Sequence, residues 1–136
     1  MLGVLGALAA ASQLAEQSIK TIRFISDLYA KIRDVPESIK TQVVQVEQLV
    51  DIARLIEQTP SLQTDPILSI LSSCRSETGK LLDILSKLAE LAGDGKVKRL
   101  WKAVDGIQKE KKILGHLGKL EQEKSSLALC ISTIDS

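Results

Sequence analysis

Between residues 67 and 92 the side chains Ile67, Leu71, Cys74, Thr78, Leu81, Leu85, Leu88 and Ala92 recur at alternating steps of four and three. That spacing places all of them on one face of a helix, and no strand can do the same. A seam this regular serves either a coiled coil or shallow-angle packing in a bundle, and within one small domain bundle packing is the expectation. Composition agrees: three prolines, one Trp, one Tyr and one Phe leave a core built from Leu, Ile, Val and Ala. With 136 residues the chain suffices for one domain with a real core.

The punctuation extends the helical reading over the whole chain. An apolar line through Leu8, Ala11, Ala15, Ser18, Ile22, Ile25, Tyr29 and Ile32 predicts a helix over roughly 3–33. Asp34-Val35-Pro36 stops it, because a residue before proline is pushed out of helical geometry. Pro36 opens a second helix over 36–59 with Ile39, Val43, Val46, Val50, Ala53 and Ile56 inward. After Thr59-Pro60 a polar turn over 61–65 leads to a third helix, 65–92, with Thr64 or Asp65 as N-cap. Gly93 is placed to end that helix. A short basic helix at 96–104 and a long one at 106–134 complete an all-α bundle of four to five helices. The last is lined by Ile113, Leu117, Leu120, Leu127, Ile131 and Ile134. A single domain spanning 1–136 is expected.

Charge is balanced overall at +1 but unevenly distributed. Lys96, Lys98, Arg99, Lys102, Lys109, Lys111 and Lys112 oppose only Asp105 and Glu110, giving +5 over 96–112 and −4 elsewhere. A solvated helix face explains this run, and a lipid-facing patch is the functional alternative. Trp101 within it suits either a core anchor or a bilayer interface. A neutral chain with one aromatic residue in its basic run and no recognition motif is not expected to bind nucleic acid.

No arrangement of residues suggests chemistry. Gly93-Asp94-Gly95-Lys96 has one residue between its glycines where a phosphate loop needs four, and Val97 follows the lysine. His116 is the single histidine, with no partner at catalytic or metal-ligand spacing along the chain. Cys74 and Cys130 read as free thiols in a reducing compartment. The expectation is a cytoplasmic protein that is not an enzyme and needs no cofactor or metal.

The best functional candidate is the head. Met1 to Ala15 carry no charge, and Glu16 is the first ionised side chain. The run lacks the basic flank of a signal peptide and falls short of the ~20 residues of a spanning helix. A bundle helix needs apolar residues, and core packing is a sufficient account of many such segments. Its all-round apolar character and small residues, Gly3, Gly6, Ala7, Ala10 and Ala11, leave surface for a partner.

Taken together, Ser26-Asp27-Leu28-Tyr29, Ile32 to Ile39 (Ile-Arg-Asp-Val-Pro-Glu-Ser-Ile), Gln48 to Ile56 (Gln-Leu-Val-Asp-Ile-Ala-Arg-Leu-Ile), Ala92 to Lys96, Trp101-Lys102-Ala103 and Leu127 to Ile131 resemble the SesA-type N-terminal domain of fungal NACHT and NB-ARC receptors. The resemblance spans essentially the whole chain. It implies a signalling module of NLR-like proteins, similar to HeLo and HeLo-like cell-death domains. In that wider group, oligomerisation drives an apolar N-terminal helix into the plasma membrane. Carried over, Leu2, Val4, Leu5 and Leu8 are the inserting residues, and the basic run Lys96–Lys112 faces anionic lipid. The expected partners are then further copies of the chain and membrane lipid. The alternative is an adaptor that recruits a downstream protein while its head stays in the core.

Overall fold

A computed structural model describes residues 2–31, 37–93 and 104–135 of the chain. The described residues form four helices, α1 (Leu2–Lys31), α2 (Glu37–Gln58), α3 (Asp65–Gly93) and α4 (Val104–Asp135), with a 3-10 turn at Pro60–Leu62 between α2 and α3. No strand occurs among the described residues. The expected ends hold to within a residue or two. Asp34–Pro36 and most of the expected 96–104 helix lie outside the described residues.

Cross-helix neighbours give the arrangement. α1 packs on α2 and α3, and α4 packs on α3 and α2, so α1/α4 and α2/α3 lie on the diagonals. Ser38 bonds to Glu110, Gln45 to Leu117 and Gln48 to Lys124, so α2 and α4 run parallel. Glu77 meets His116, while Thr64 and Pro66 adjoin Thr133 and Ile134, so α3 and α4 run antiparallel. Ile25 and Ser26 share a cleft with Lys40, Val43, Val44 and Glu47, which makes α1 and α2 antiparallel too. The bundle is therefore up-down-up-down, with helices in the order α1-α2-α4-α3 around the ring.

This order sends the α2–α3 connection across the diagonal at one pole, and the local chemistry suits that crossing. Leu62, expected in a polar turn, is only 1 % exposed and plugs the bundle end. The Gln63 side chain turns back and donates to the carbonyls of Ile56 and Glu57 at 3.1 and 3.2 Å, satisfying acceptors that the end of α2 leaves open. The Thr64 hydroxyl accepts from Ile67 N–H at 3.5 Å, as an N-cap should.

The α3 seam is as the sequence implies: Ile67, Leu71, Cys74, Thr78, Leu81, Leu85 and Leu88 are all buried. In α1 the expected line is buried at Ala11, Ala15, Ser18 and Ile25 and half-buried at Ile22, but the buried face is wider and Leu8 leaves it. Ala7, Ala10, Ala11, Leu14, Ala15, Ser18, Thr21, Ile25 and Leu28 face inward, while Leu8 points out at 38 % exposure. Small alanines bring α1 close to its neighbours; a Cβ on Gly6 would lie 3.0 Å from Leu68 Cδ2. In α2, Gln45 and Leu49 are buried, and Val43 and Val50 are only half-buried. Gln45 crosses to α4, where its Nε2 donates to Leu117 O at 2.9 Å.

Candidate interaction surface

The sequence nominates the head and the basic run, and the bundle keeps the head apart from the described lysines of that run, Lys109, Lys111 and Lys112. α1 begins at the pole where the diagonal link crosses, because Gly6 lies beside Leu68 near the start of α3. Lys109, Lys111 and Lys112 lie on the early turns of α4, which start from the opposite pole. About twenty residues of α4 separate the two levels, or roughly 30 Å at 1.5 Å per residue. Lys111 and Lys112 are exposed and Lys109 is half-buried. Lys96, Lys98, Arg99 and Lys102, with Trp101, lie outside the described residues. Whatever approaches the head end-on does not touch Lys109, Lys111 or Lys112.

Within the head, Leu5 is 65 % exposed and Leu8 38 %, whereas Ala7, Ala10, Ala11, Leu14 and Ala15 are at 0–1 %. The side chains of Leu2 and Val4 lie outside the described set. Leu8 is about five helical turns before Ser26, on the same line of α1. Ser26 lines the cleft with α2, so Leu8 faces the α1/α2 edge. Leu55, 46 % exposed, is about three turns after Val44, another residue of that cleft. Leu8 and Leu55 are thus exposed apolar residues on this edge toward the crossing pole, and Leu5 is exposed on the neighbouring outer side of α1.

A second apolar feature was not anticipated from the sequence. At the same pole, on the α3/α4 edge, a groove of about 470 Å³ lies between the start of α3 and the last turns of α4. Thr64 and Pro66 form one wall, and Leu129, Cys130, Thr133 and Ile134 are on the other. Leu129 is 70 % exposed. The signal was present in the run Ser125 to Ile134, ten residues without a charge, but the helical pattern credited its apolar residues to the core.

His116 has a partner that spacing along the chain could not reveal. Its Nδ1 donates to Glu77 Oε2 at 2.8 Å, across the α3/α4 interface and 39 positions away. Lys80 and Lys119 stand 3.5 and 3.8 Å from Glu77 Oε1. Burial pushes the Glu77 carboxyl up, but the His116 bond and the charges of Lys119, Lys80 and His116 outweigh it, leaving the group below its ordinary value. A buried carboxylate ringed by cations is a structural clasp between two helices. Among the described residues no group of His, Cys, Asp and Glu is placed to hold a metal ion. The Cys74 thiol is pushed up to about 12 by burial and by the charge of Glu123, so it is no nucleophile. Among the described residues no helix is long and apolar enough to cross a membrane.

A sequence model of the SesA family, described as an N-terminal domain on NACHT NTPases and P-loop NTPases, matches residues 6–127. No curated protein and no solved structure matches the chain.

Proposed function

Because this chain belongs to the SesA family, the N-terminal domains of NACHT NTPases and P-loop NTPases, we propose that it is the signalling domain of an NLR-type receptor that relays clustering through protein contacts. It works without chemistry of its own: the attached NTPase gathers several copies, and the gathered bundles present a surface that single ones do not. The observation that carries this reading is the packing of the head. Freeing residues 2–15 would uncover four alanines and Leu14. At ~0.8 kcal/mol per methyl and ~2–3 kcal/mol for a leucine, that costs on the order of 5–6 kcal/mol. A small domain has about 5–15 kcal/mol in total. The head is a structural member, and its exposed edge is what it offers to partners.

Membrane insertion of α1, with cell death as its output, is the second reading. Leu5 and Leu8 favour it, since both are exposed on a charge-free stretch. Cytoplasmic residence, with relocation to the plasma membrane on activation, belongs to this reading. Its weakness is geometric: Lys109, Lys111 and Lys112, the described part of the basic run, sit on turns of α4 that start from the far pole.

The deciding experiment fuses the chain to a module that forces oligomerisation and measures dye release from anionic liposomes. No release from folded, clustered protein is the result expected of a protein-contact domain. Release that vanishes in Leu5→Lys/Leu8→Lys would replace this reading with the membrane executioner.

A further inference from the structure

One turn of α4 is held from two sides and weakened from within. Gln45 of α2 donates from its Nε2 to the Leu117 carbonyl at 2.9 Å, and Glu77 of α3 accepts from His116 Nδ1 at 2.8 Å. Two glycines bracket that turn, Gly115 and Gly118, and a Cβ at either would meet nothing within 4 Å. Neither is there to let a neighbour approach, and alanine would fit at both and make the better helix. Gly79 of α3 is open in the same way, but Thr78 and Leu81 beside it are fully buried and pin that helix to the core. α4 has less hold beyond its glycines. Among the described residues after Gly118 only Leu120 and Leu127 are buried, and Lys124, bonded to Gln48, occupies the step of the seam between them. Ile131 and Ile134 are half-buried.

We propose that α4 is hinged at Gly115–Gly118, so that its second half, residues 119–135, swings off α2 and α3 while the turn at His116 and Leu117 stays in place. Sharp bends in helices occur at glycines and where an outside group enters the i to i−4 ladder, and here the two coincide. In a straight helix the Leu117 carbonyl accepts from the N–H of Glu121. Bending past Gly118 breaks that bond, and the Gln45 amide then keeps the carbonyl satisfied. His116 on Glu77 anchors the same turn to α3. The swinging half gives up two buried leucines and the Lys124–Gln48 contact, whose groups water takes over. What it uncovers is the face of α3 around Leu71 and Cys74, an apolar surface that the closed bundle hides. The hinge is a property of the single chain and stands or falls independently of the clustering role.

The test is amide hydrogen exchange of the 136-residue chain, read residue by residue along α4 by NMR and corrected for intrinsic rates. The wild type is expected to show a step at the glycines: amides 121–130 exchange as one block, about tenfold or more faster than those of 109–114. Gly115→Ala/Gly118→Ala is expected to shrink that step by about threefold or more. Both new side chains enter open space, and circular dichroism checks that the variant is folded. Cys74 supplies a second readout, because it is buried beneath α4 and feels the charge of Glu123. Its slow alkylation, followed over hours, is expected to fall by about threefold or more in the double variant. Between 0 and 1 M urea the wild-type rate should change less than about threefold, where opening by global unfolding would change it about tenfold. Uniform exchange across the glycines overturns the hinge, as does protection that declines steadily toward residue 135, which is end fraying. A step unchanged in the double variant, or Cys74 labelling that follows the global urea slope, overturns it too.

Discussion

Leu14→Ala separates a head that belongs to the core from one that merely rests on it. Leu14 is 0 % exposed, with Ala10, Ala11 and Ala15 buried around it on the same face of α1. The substitution removes three carbons, about 2.4 kcal/mol of transfer free energy at ~0.8 kcal/mol each. The bundle cannot fully close the space left, so the total falls near 3–4 kcal/mol within the range known for buried leucines. For a chain of this length the unfolding entropy is roughly 0.29 kcal/mol/K, which converts that loss to a fall of about 10–14 °C in Tm. Leu8→Ala is the control: it is partly solvated already, and should cost less than about 1 kcal/mol. Urea denaturation of the three proteins, followed by far-UV circular dichroism, reads the difference as a shift in midpoint at constant slope. If Leu14→Ala unfolds within 1 kcal/mol of the wild type, the head is not a structural member and the case against its release collapses.

Three further outcomes follow from particular side chains. Gly118→Ala should stabilise the chain by about 0.5–1 kcal/mol in the same denaturation assay, because a Cβ there meets nothing within 4 Å and a helix-interior glycine is removed. Under native conditions a thiol reagent near neutral pH should modify Cys130 and spare Cys74, as counted by intact mass, whose thiol is buried and pushed up to about 12; rapid double labelling would show that α3 opens readily. Glu77 has a folded pKa depressed below its unfolded value. Its contribution is therefore present above the ordinary carboxylate range and lost as pH falls through the folded value. Denaturation midpoints of the wild type and Glu77→Gln should converge across that acid window, and a gap that persists to the lowest pH at which both remain folded would mean that the clasp with His116 is not electrostatic.

Much of this architecture is legible because α3 states its phase through one unbroken line, Ile67, Leu71, Cys74, Thr78, Leu81, Leu85 and Leu88, while most serines, lysines and glutamates fall on the others. Pro36, Pro60 and Pro66 then set the helix limits, since proline constrains both itself and the residue before it. The head resists the same reading for a physical reason. Where every side of a helix is apolar, no polar stripe shows which side is wet, and the larger side chain was given the inward place. The bundle buries Ala11 and Ala15 as the line implies, adds Ala7, Ala10 and Leu14 to them, and turns Leu8 outward. Gln45 and the pair Glu77–His116 escaped because their partners lie on other helices, and polarity in one helix says nothing of a carbonyl or a carboxylate across the interface. The groove depends wholly on assembly: Pro66 and Leu129 are neighbours only once α3 and α4 run antiparallel.

The diagonal link divides the chain into two halves of a distinct kind. α1 with α2, and α3 with α4, are each hairpins of sequence neighbours, whereas α1 meets α3 and α2 meets α4 only when the hairpins dock. Contacts within each hairpin join residues closer in sequence than contacts across the seam, so closing the seam carries the larger chain-entropy cost. The same seam makes exchange conceivable, one copy lending its second plate to another, and short strained hinges encourage such trades. This hinge is held otherwise: Leu62 sits in the bundle end and Gln63 grips the terminus of α2, so the plates cannot part without first drawing that plug. The chain is thereby held as one whole unit, its two plates locked at the link between them.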